Sequence, residues 1–159
     1  MAYYPILMDL QGKRVLVVGG GNVSERKVRT LLEFGAEVAV VSRELTPALE
    51  ALSEEGRVRW MGRAFDPSHL EGAVLVIAAT DDAGANRRVG VTCRERGIPV
   101  NAVDQPEDCT FIVPAVVRRG DLLLAVSTSG RSPALARALR AELEARFGPE
   151  YADFLALMG

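Results

Sequence analysis

The chain has 159 residues, a length typical of one domain with a small addition, and its apolar fraction of 48% is enough to fill a continuous core. A net charge of −2 with 25% charged residues leaves no general basic surface, which argues against nucleic acid as the main partner. No run of 18 apolar residues occurs and residues 1–5 do not have the pattern of a signal peptide, so we expect no membrane partner and a cytoplasmic protein.

The first predicted element is a buried strand that runs through three consecutive glycines directly into a helix. The strand covers residues 14–18 and is apolar after its first residue. Gly19 allows a sharp turn out of the strand, and Gly21 lets the backbone approach a pyrophosphate, which the amino-terminal end of the helix attracts. Ser24 stands where this fingerprint has Gly or Ala. The pattern predicts a nucleotide-binding turn, and a plain tight connection is the alternative.

Strands and helices then alternate as far as residue 103. The patterns predict strands at 38–41, 58–60, 73–79 and 99–103 and helices at 47–55 and 85–96. The run 73–79 is apolar on every residue, which is typical of a strand covered on both faces, and we expect it in the middle of the sheet. The alternation predicts an α/β fold with a Rossmann-like, doubly wound parallel sheet.

The character of the chain changes after residue 110. Two apolar strands are predicted at 111–117 and 122–126, and the short polar link between them favours a hairpin over a helical crossover. A helix that opens at Ser132-Pro133 and carries an apolar stripe follows, and a further helix begins at Tyr151. We therefore expect a small α+β segment after the parallel sheet.

Polar residues follow four of the predicted parallel strands, where doubly wound sheets bind their ligands. These clusters are Gly19 to Val23, Ser42-Arg43-Glu44, Thr80-Asp81-Asp82 and Asp104-Gln105. An acid at the end of the second strand usually contacts the ribose, but Arg43 precedes Glu44 here and is able to stack on adenine or meet a 2′-phosphate, so the residues leave NAD and NADP open. Thr80, Asp81 and Asp82 border the cofactor, cap the next helix, or do both.

Two further segments are candidates for chemistry. Asp104 ends a strand inside the predicted crevice, where a carboxylate can accept a proton while a nicotinamide accepts a hydride; an ordinary turn residue is the alternative. The second segment combines hydroxyls, a glycine and an arginine at a helix amino terminus, an arrangement that binds anions or simply caps the helix. Its members are Ser127, Thr128, Ser129, Gly130, Arg131 and Ser132. Cys93 and Cys109 are too few for a disulfide framework and too far apart for a metal-binding pair, so no metal site is expected.

Five motifs in chain order carry a resemblance to a known family. They are VVGGGNVSERK at 17–27, FGAEVAVVS at 34–42, LVIAATDD at 75–82, RGIPVNAVDQPEDCTFIVPA at 96–115 and RGDLLLAVSTSGRSPALARALRAELE at 119–144. Together they resemble the precorrin-2 dehydrogenases of sirohaem synthesis, which include the amino-terminal module of bifunctional sirohaem synthase. The match extends over nearly the whole chain, which a glycine fingerprint alone would not achieve.

The resemblance implies NAD-dependent oxidation of precorrin-2, a tetrapyrrole, to sirohydrochlorin. It implies that Asp104 is the catalytic residue and that the cofactor-contacting positions include Asn22, Val23, Arg43 and Glu44, which favours NAD. It also implies that the serine-rich segment 127–132 lines the tetrapyrrole cleft.

The resemblance further predicts how the chain is organised. Residues 1–113 correspond to an NAD-binding Rossmann domain, and residues 114–159 to a dimerisation segment with the start of a truncated carboxy-terminal helical module. Homodimers are expected, and ferrochelatase activity, which some members have, is left in doubt. The alternatives are a non-catalytic NAD(P)-sensing domain and another NAD(P)-linked oxidoreductase.

Overall fold

The computed structural model of the chain describes residues 3–158. They form two compact units. The sheet unit is Pro5–Phe111, and the hairpin unit consists of the remaining described residues, chiefly 112–158. No helix within residues 3–158 is both long enough and apolar enough to cross a membrane.

The sheet unit is built on parallel strands that alternate with helices. In chain order the elements are β1 (Arg14–Val18), α1 (Asn22–Glu33), β2 (Glu37–Val41), α2 (Pro47–Glu54), β3 (Val58–Gly62), β4 (Leu75–Ala78), α3 (Ala83–Glu95) and β5 (Val100–Ala102). The strands of residues 3–111 lie in the order β3-β2-β1-β4-β5, and every pairing is parallel. The predicted Rossmann-like, doubly wound sheet is confirmed.

The centre of the sheet differs from the prediction. The uniformly apolar run 73–79 contains β4, but β1 occupies the middle position and β4 lies beside it. Both strands are covered on two faces, so apolar composition alone does not distinguish them. Alternate residues of β1 enter different cores: Val15 and Val17 pack with α1 and α2 on one face, and Leu16 and Val18 pack with α3 on the other.

The hairpin unit consists of an antiparallel strand pair and two helices. Its elements are β6 (Ala115–Arg119), β7 (Leu122–Val126), α4 (Pro133–Arg146) and α5 (Glu150–Met158). The Arg119 side chain joins the hairpin to the end of α4, since its Nε donates to the Phe147 carbonyl oxygen at 3.0 Å and its Nη2 to that of Glu144 at 3.3 Å. The predicted hairpin followed by helices is therefore present.

The first strand of the hairpin begins later than predicted. The sequence indicated a strand from residue 111, but β6 starts at Ala115. The preceding residues stay with β5, because the Thr110 N–H donates to the Val100 carbonyl oxygen at 2.8 Å and the Asn101 side chain donates to the Phe111 carbonyl oxygen at 3.1 Å. Phe111 itself packs against the core of the sheet unit.

Candidate dinucleotide site

The three glycines between β1 and α1 have different surroundings. Gly19 has a φ of 126°, and a Cβ built there would overlap the Ala79 carbonyl oxygen. A Cβ on Gly20 would overlap the Glu44 carbonyl oxygen. By contrast, no described atom outside its chain neighbours lies within 4 Å of a Cβ built on Gly21. The first two glycines are therefore required by packing, while the third leaves the backbone open to a ligand.

Ser24 explains how the turn tolerates a departure from the usual fingerprint. The residue is fully buried, and its hydroxyl donates to the Ala79 carbonyl oxygen at 3.2 Å. The third fingerprint position normally requires a small residue because helix and strand pack closely there. Serine meets this requirement and supplies a hydrogen bond between α1 and the residue that follows β4.

The amino terminus of α1 fits an anionic group. Gly21 is its N-cap, and among the described residues no side chain makes a cap hydrogen bond there. The first-turn N–H groups of a helix have no partners within the helix, and the helix dipole places positive potential at this end. Asn22 and Val23, the first two helical residues, are exposed. This open amide end beside Gly21 is suited to a pyrophosphate.

The residues after β2 and β4 approach the same edge. Asp82 is the N-cap of α3, and its carboxylate accepts a hydrogen bond from the Ala85 N–H at 3.0 Å. That hydrogen bond lowers the pKa of Asp82, and the charges of Arg88 and Arg43 lower it further. Arg43 is therefore close enough to interact electrostatically with the residues after β4. Asp82 itself satisfies the capping interpretation.

Asn86 holds Thr80 in place. The Thr80 N–H and hydroxyl both donate to Asn86 Oδ1, at 3.0 and 2.8 Å, and Asn86 Nδ2 donates back to the Thr80 carbonyl oxygen at 2.9 Å. Asn86 is buried and Asp81 is exposed. Asn86 was not identified from the sequence. The signal that could have revealed it was an asparagine near the start of a helix that follows a buried strand.

Asp104 lies at the same edge in an uncommon conformation. It is exposed, it follows β5 by two residues, and its φ is 61°, a left-handed value that is unusual for a residue other than glycine. Since Ala78 pairs with Ala102, Asp104 and Thr80 follow adjacent strands at equivalent positions. A residue held in such a conformation at a crevice is a reason to suspect function.

Gln105 anchors the Asp104 loop; the sequence placed it in one polar cluster with Asp104 but predicted no separate role for it. Its Nε2 donates to the Ala83 carbonyl oxygen at 3.0 Å, at the start of α3. Its Oε1 is buried without a hydrogen-bond partner among the described residues. Gln105 thereby joins the loop after β5 to the helix after β4.

The segment 127–132 belongs to the hairpin unit. Thr128 Oγ1 donates to the Ser132 carbonyl oxygen and accepts from the Ser132 N–H, both at 3.0 Å, and Ser132 Oγ caps α4 by accepting from Leu135 N at 3.2 Å. Ser127 Oγ accepts from the Ser129 N–H at 3.1 Å. Ser129, Gly130 and Arg131 are exposed. Capping therefore engages part of the segment, and an exposed hydroxyl and guanidinium are left for a ligand.

No group of three or more His, Cys, Asp or Glu side chains within residues 3–158 is arranged to hold a metal ion. Cys93 is fully buried, and burial raises the pKa of its thiol to about 11. A thiol held in its neutral form is a poor nucleophile and a poor metal ligand.

An open glycine turn at the central strand of a doubly wound sheet defines a dinucleotide-binding α/β protein. Residues 6–115 match the protein family described as "Putative NAD(P)-binding", and residues 119–146 match the family described as "Sirohaem biosynthesis protein central". The chain belongs to this NAD(P)-binding family, and the resemblance stated from its motifs is confirmed.

Similar proteins agree with this assignment. The siroheme synthase of Methylobacillus flagellatus is 54% identical over 144 residues, which cover 91% of this chain and 31% of that protein. The siroheme synthase of Thioalkalivibrio sulfidiphilus is 46% identical over 158 residues, which cover 99% of this chain and 32% of that protein. The chain thus spans about a third of the length of these relatives. The solved structure of SirC, a precorrin-2 dehydrogenase, matches 97% of this chain and 76% of its own, with a TM-score of 0.80 and 28% identity.

Proposed function

We propose that the protein catalyses the NAD-dependent dehydrogenation of precorrin-2 to sirohydrochlorin in sirohaem biosynthesis. The observation that carries this proposal is the structural match to SirC over 97% of the chain, since it includes both the sheet unit and the hairpin unit. The open amide end of α1 at Gly21 supports it independently.

The sheet edge supplies the residues for the cofactor. The proposed contacts are Gly19, Gly21, Asn22, Val23, Arg43, Glu44, Thr80 and Asp81. NAD, when bound, supplies the acceptor for a hydride. We favour NAD over NADP because Glu44 is exposed after β2 and available for a ribose hydroxyl.

Asp104 is the proposed base. Dehydrogenation removes two hydrogens from the substrate, one as the hydride and the other as a proton. The Asp104 carboxylate accepts the proton and, because the side chain is exposed, can release it to water. Asp104 follows β5 at the same edge of the sheet that carries the proposed cofactor contacts.

The hairpin unit supplies the residues proposed to bind the acidic side chains of the tetrapyrrole. They are Ser127, Thr128, Ser129, Gly130, Arg131 and Ser132. Arg131 and the amino terminus of α4 favour carboxylates, and the exposed Ser129 hydroxyl adds a donor. The two hydrogen bonds between Thr128 and Ser132 preorganise the segment for the substrate.

We also propose that the chain is a homodimer and acts in the cytoplasm. Leu135 is 50% exposed, and Leu139 and Phe154 are also exposed, which is unfavourable unless a partner covers them. A second copy of the same chain is the simplest partner, because closed symmetric dimers are the commonest oligomers. Cys93 and Cys109 are both free, which suits a reducing compartment.

An anaerobic absorbance assay with precorrin-2 and NAD tests the proposal. We expect NADH and sirohydrochlorin to appear in equal amounts, with a lower rate when NADP replaces NAD. Dinucleotide binding without any product would contradict the enzyme assignment and favour a sensor. Equal or higher rates with NADP would contradict the cofactor assignment.

A further inference from the structure

The loop 42–46 is attached closely to the glycine turn. It joins β2 to α2 and carries Arg43 and Glu44, the residues proposed to meet the adenosine ribose. The Thr46 N–H donates to the Gly20 carbonyl oxygen at 3.0 Å. A Cβ on Gly20 would lie 2.6 Å from Ser42 Oγ, so the loop and the turn are in direct packing contact.

Thr46 makes two further hydrogen bonds through one hydroxyl. Its Oγ1 accepts from the Leu49 N–H at 3.3 Å, as the N-cap of α2. The same hydroxyl donates to Glu25 Oε2 at 2.7 Å. Because Glu25 lies in the first turn of α1, this hydrogen bond joins the start of the second helix to the start of the first.

The position of Glu25 is unfavourable for binding an anion. Its carboxylate is 22% exposed and also accepts from Arg29 Nε at 3.0 Å. The hydrogen bonds from Thr46 and Arg29 lower the pKa of Glu25, so it is charged at neutral pH. A negative charge in the first turn stabilises an isolated helix but repels a pyrophosphate at the same helix end. Glu25 would therefore oppose cofactor binding unless it makes another contribution that favours it.

We propose that the Thr46–Glu25 hydrogen bond is a positioning contact that holds the loop 42–46 against the glycine turn and thereby sets where Arg43 and Glu44 meet the ribose of a bound dinucleotide. This inference rests on the proposed cofactor site. Glu25 and Thr46 act through the loop and need not touch the cofactor. Both side chains are partly buried, and both hydrogen bonds to Glu25 are near ideal length.

The two effects of Glu25 on binding have opposite signs, and this makes the role testable. If Glu25 acted through its charge alone, removing the charge would strengthen binding of the pyrophosphate. If it acts by holding the loop, removing the acceptor weakens binding. Glu25→Gln removes the charge but keeps an oxygen for the Thr46 hydroxyl, whereas Glu25→Ala removes both.

Calorimetric titration of the full chain with NAD and with NADP, without substrate, separates these cases. We expect Glu25→Ala to bind NAD about tenfold more weakly and to lose discrimination against NADP, while Glu25→Gln and Thr46→Ser retain wild-type affinity within about twofold. Arg29→Gln is the matched control, because it breaks the same ion pair as Glu25→Ala but leaves the hydrogen bond to Thr46. Thr46→Val is a second route: valine has nearly the shape of threonine and adds no charge, but it removes the hydroxyl that donates to Glu25, so it should also weaken NAD binding.

The possible outcomes are distinguishable. Unchanged or tighter NAD binding by Glu25→Ala, with normal wild-type binding, overturns the inference alone. Equal weakening by Arg29→Gln also overturns it, since the ion pair rather than the loop contact would then be responsible. No heat from the wild type with either dinucleotide overturns the proposed function and this inference with it. Thermal unfolding of each variant shows that the compared proteins are folded, and Thr46→Val decides the outcome if Glu25→Ala does not fold.

Discussion

The sheet unit buries most of its large apolar side chains, whereas the hairpin unit leaves several of them exposed. Two core clusters fill both faces of the parallel sheet, and Leu16, Val17 and Val76 are completely buried there. Within the described residues 112–158, the buried apolar residues are Val117 and Ala136, while Leu135 and Phe154 are at least half exposed. A unit that covers its own core is a stable scaffold, whereas a unit with an exposed apolar surface would gain comparable stabilisation from a partner that covered it.

The comparison also separates chemistry from substrate recognition. The sheet unit carries the open glycine turn and Asp104, and the hairpin unit carries the segment 127–132. Under the proposed function, the first would hold the reacting groups and the second the carboxylates of the substrate.

Replacing one residue in each unit should affect different kinetic constants. Asp104→Asn should lower kcat by about 100-fold or more, because a general base typically contributes 10² to 10⁴ in rate, and it should leave NAD affinity unchanged. Arg131→Gln should raise KM for the tetrapyrrole several-fold with little change in kcat. Anaerobic steady-state kinetics with calorimetry measures both. An unchanged kcat for Asp104→Asn would exclude Asp104 as the catalytic base.

Core truncation should destabilise the sheet unit far more than surface truncation destabilises the hairpin unit. Leu16 is fully buried, so Leu16→Ala should lower the free energy of unfolding by about 2 to 5 kcal/mol. Leu157 is 87% exposed, and Leu157→Ala should change the free energy of unfolding by less than about 0.5 kcal/mol. Urea denaturation followed by circular dichroism gives both values. Similar losses for the two variants would show that α5 is covered in solution.

An acidic residue on the exposed face of α4 should weaken the proposed homodimer. Leu139→Glu places a charge where a second copy would bury leucine, and we expect a loss of about 2 kcal/mol or more in association, roughly 30-fold in the dimer dissociation constant. Ala138→Glu is the control, since Ala138 is also exposed on α4 but lies outside the apolar stripe. Sedimentation over a concentration series provides the measurement. Equal dimerisation by the two variants would place the interface elsewhere.

Substitutions at Gly19 and Gly21 in the same turn should have separate effects, one on stability and the other on NAD binding. Gly19→Ala forces a side chain into a left-handed conformation and against Ala79, and should destabilise the fold by about 1 to 3 kcal/mol. Gly21 has a φ of −83° and open surroundings, so Gly21→Ala should leave stability nearly unchanged. It should weaken NAD binding about tenfold, because the added methyl group would occupy space into which the pyrophosphate is proposed to dock. Thermal unfolding and calorimetry distinguish the two. Normal NAD affinity of Gly21→Ala would argue against the proposed docking mode.

Much of the fold was predictable because its signals are local. The apolar strand Arg14–Val18 next to three glycines predicted β1 and the turn, and Thr46 before Pro47 predicted the start of α2, where the hydroxyl does accept from Leu49 N. The predicted start of the first hairpin strand was wrong, because the hydrogen bonds of Thr110 and Phe111 to β5 join residues about ten apart in the chain. Apolar composition has no information on such pairings.

The candidate site divides in the same way. Asp104 and the glycine turn were identified from the residues because each follows a strand that composition alone reveals. Asn86 and Glu25 were not identified, and no separate role was predicted for Gln105. Their roles come from side-chain hydrogen bonds to Thr80, Thr46 and Ala83, which belong to other parts of the fold.

The sequence by itself therefore determined the class of fold, the place of the dinucleotide turn and the family, since all three depend on periodicity and on residue types at short spacing. The tertiary structure alone decided that β1 is the central strand and that Glu25 contacts the loop after β2. It also decided that backbone atoms occupy the space that a side chain would need at Gly19 and Gly20, whereas the space beside Gly21 is open. The physical reason is that strand order, close packing and hydrogen bonding between elements depend on which surfaces meet when the chain folds.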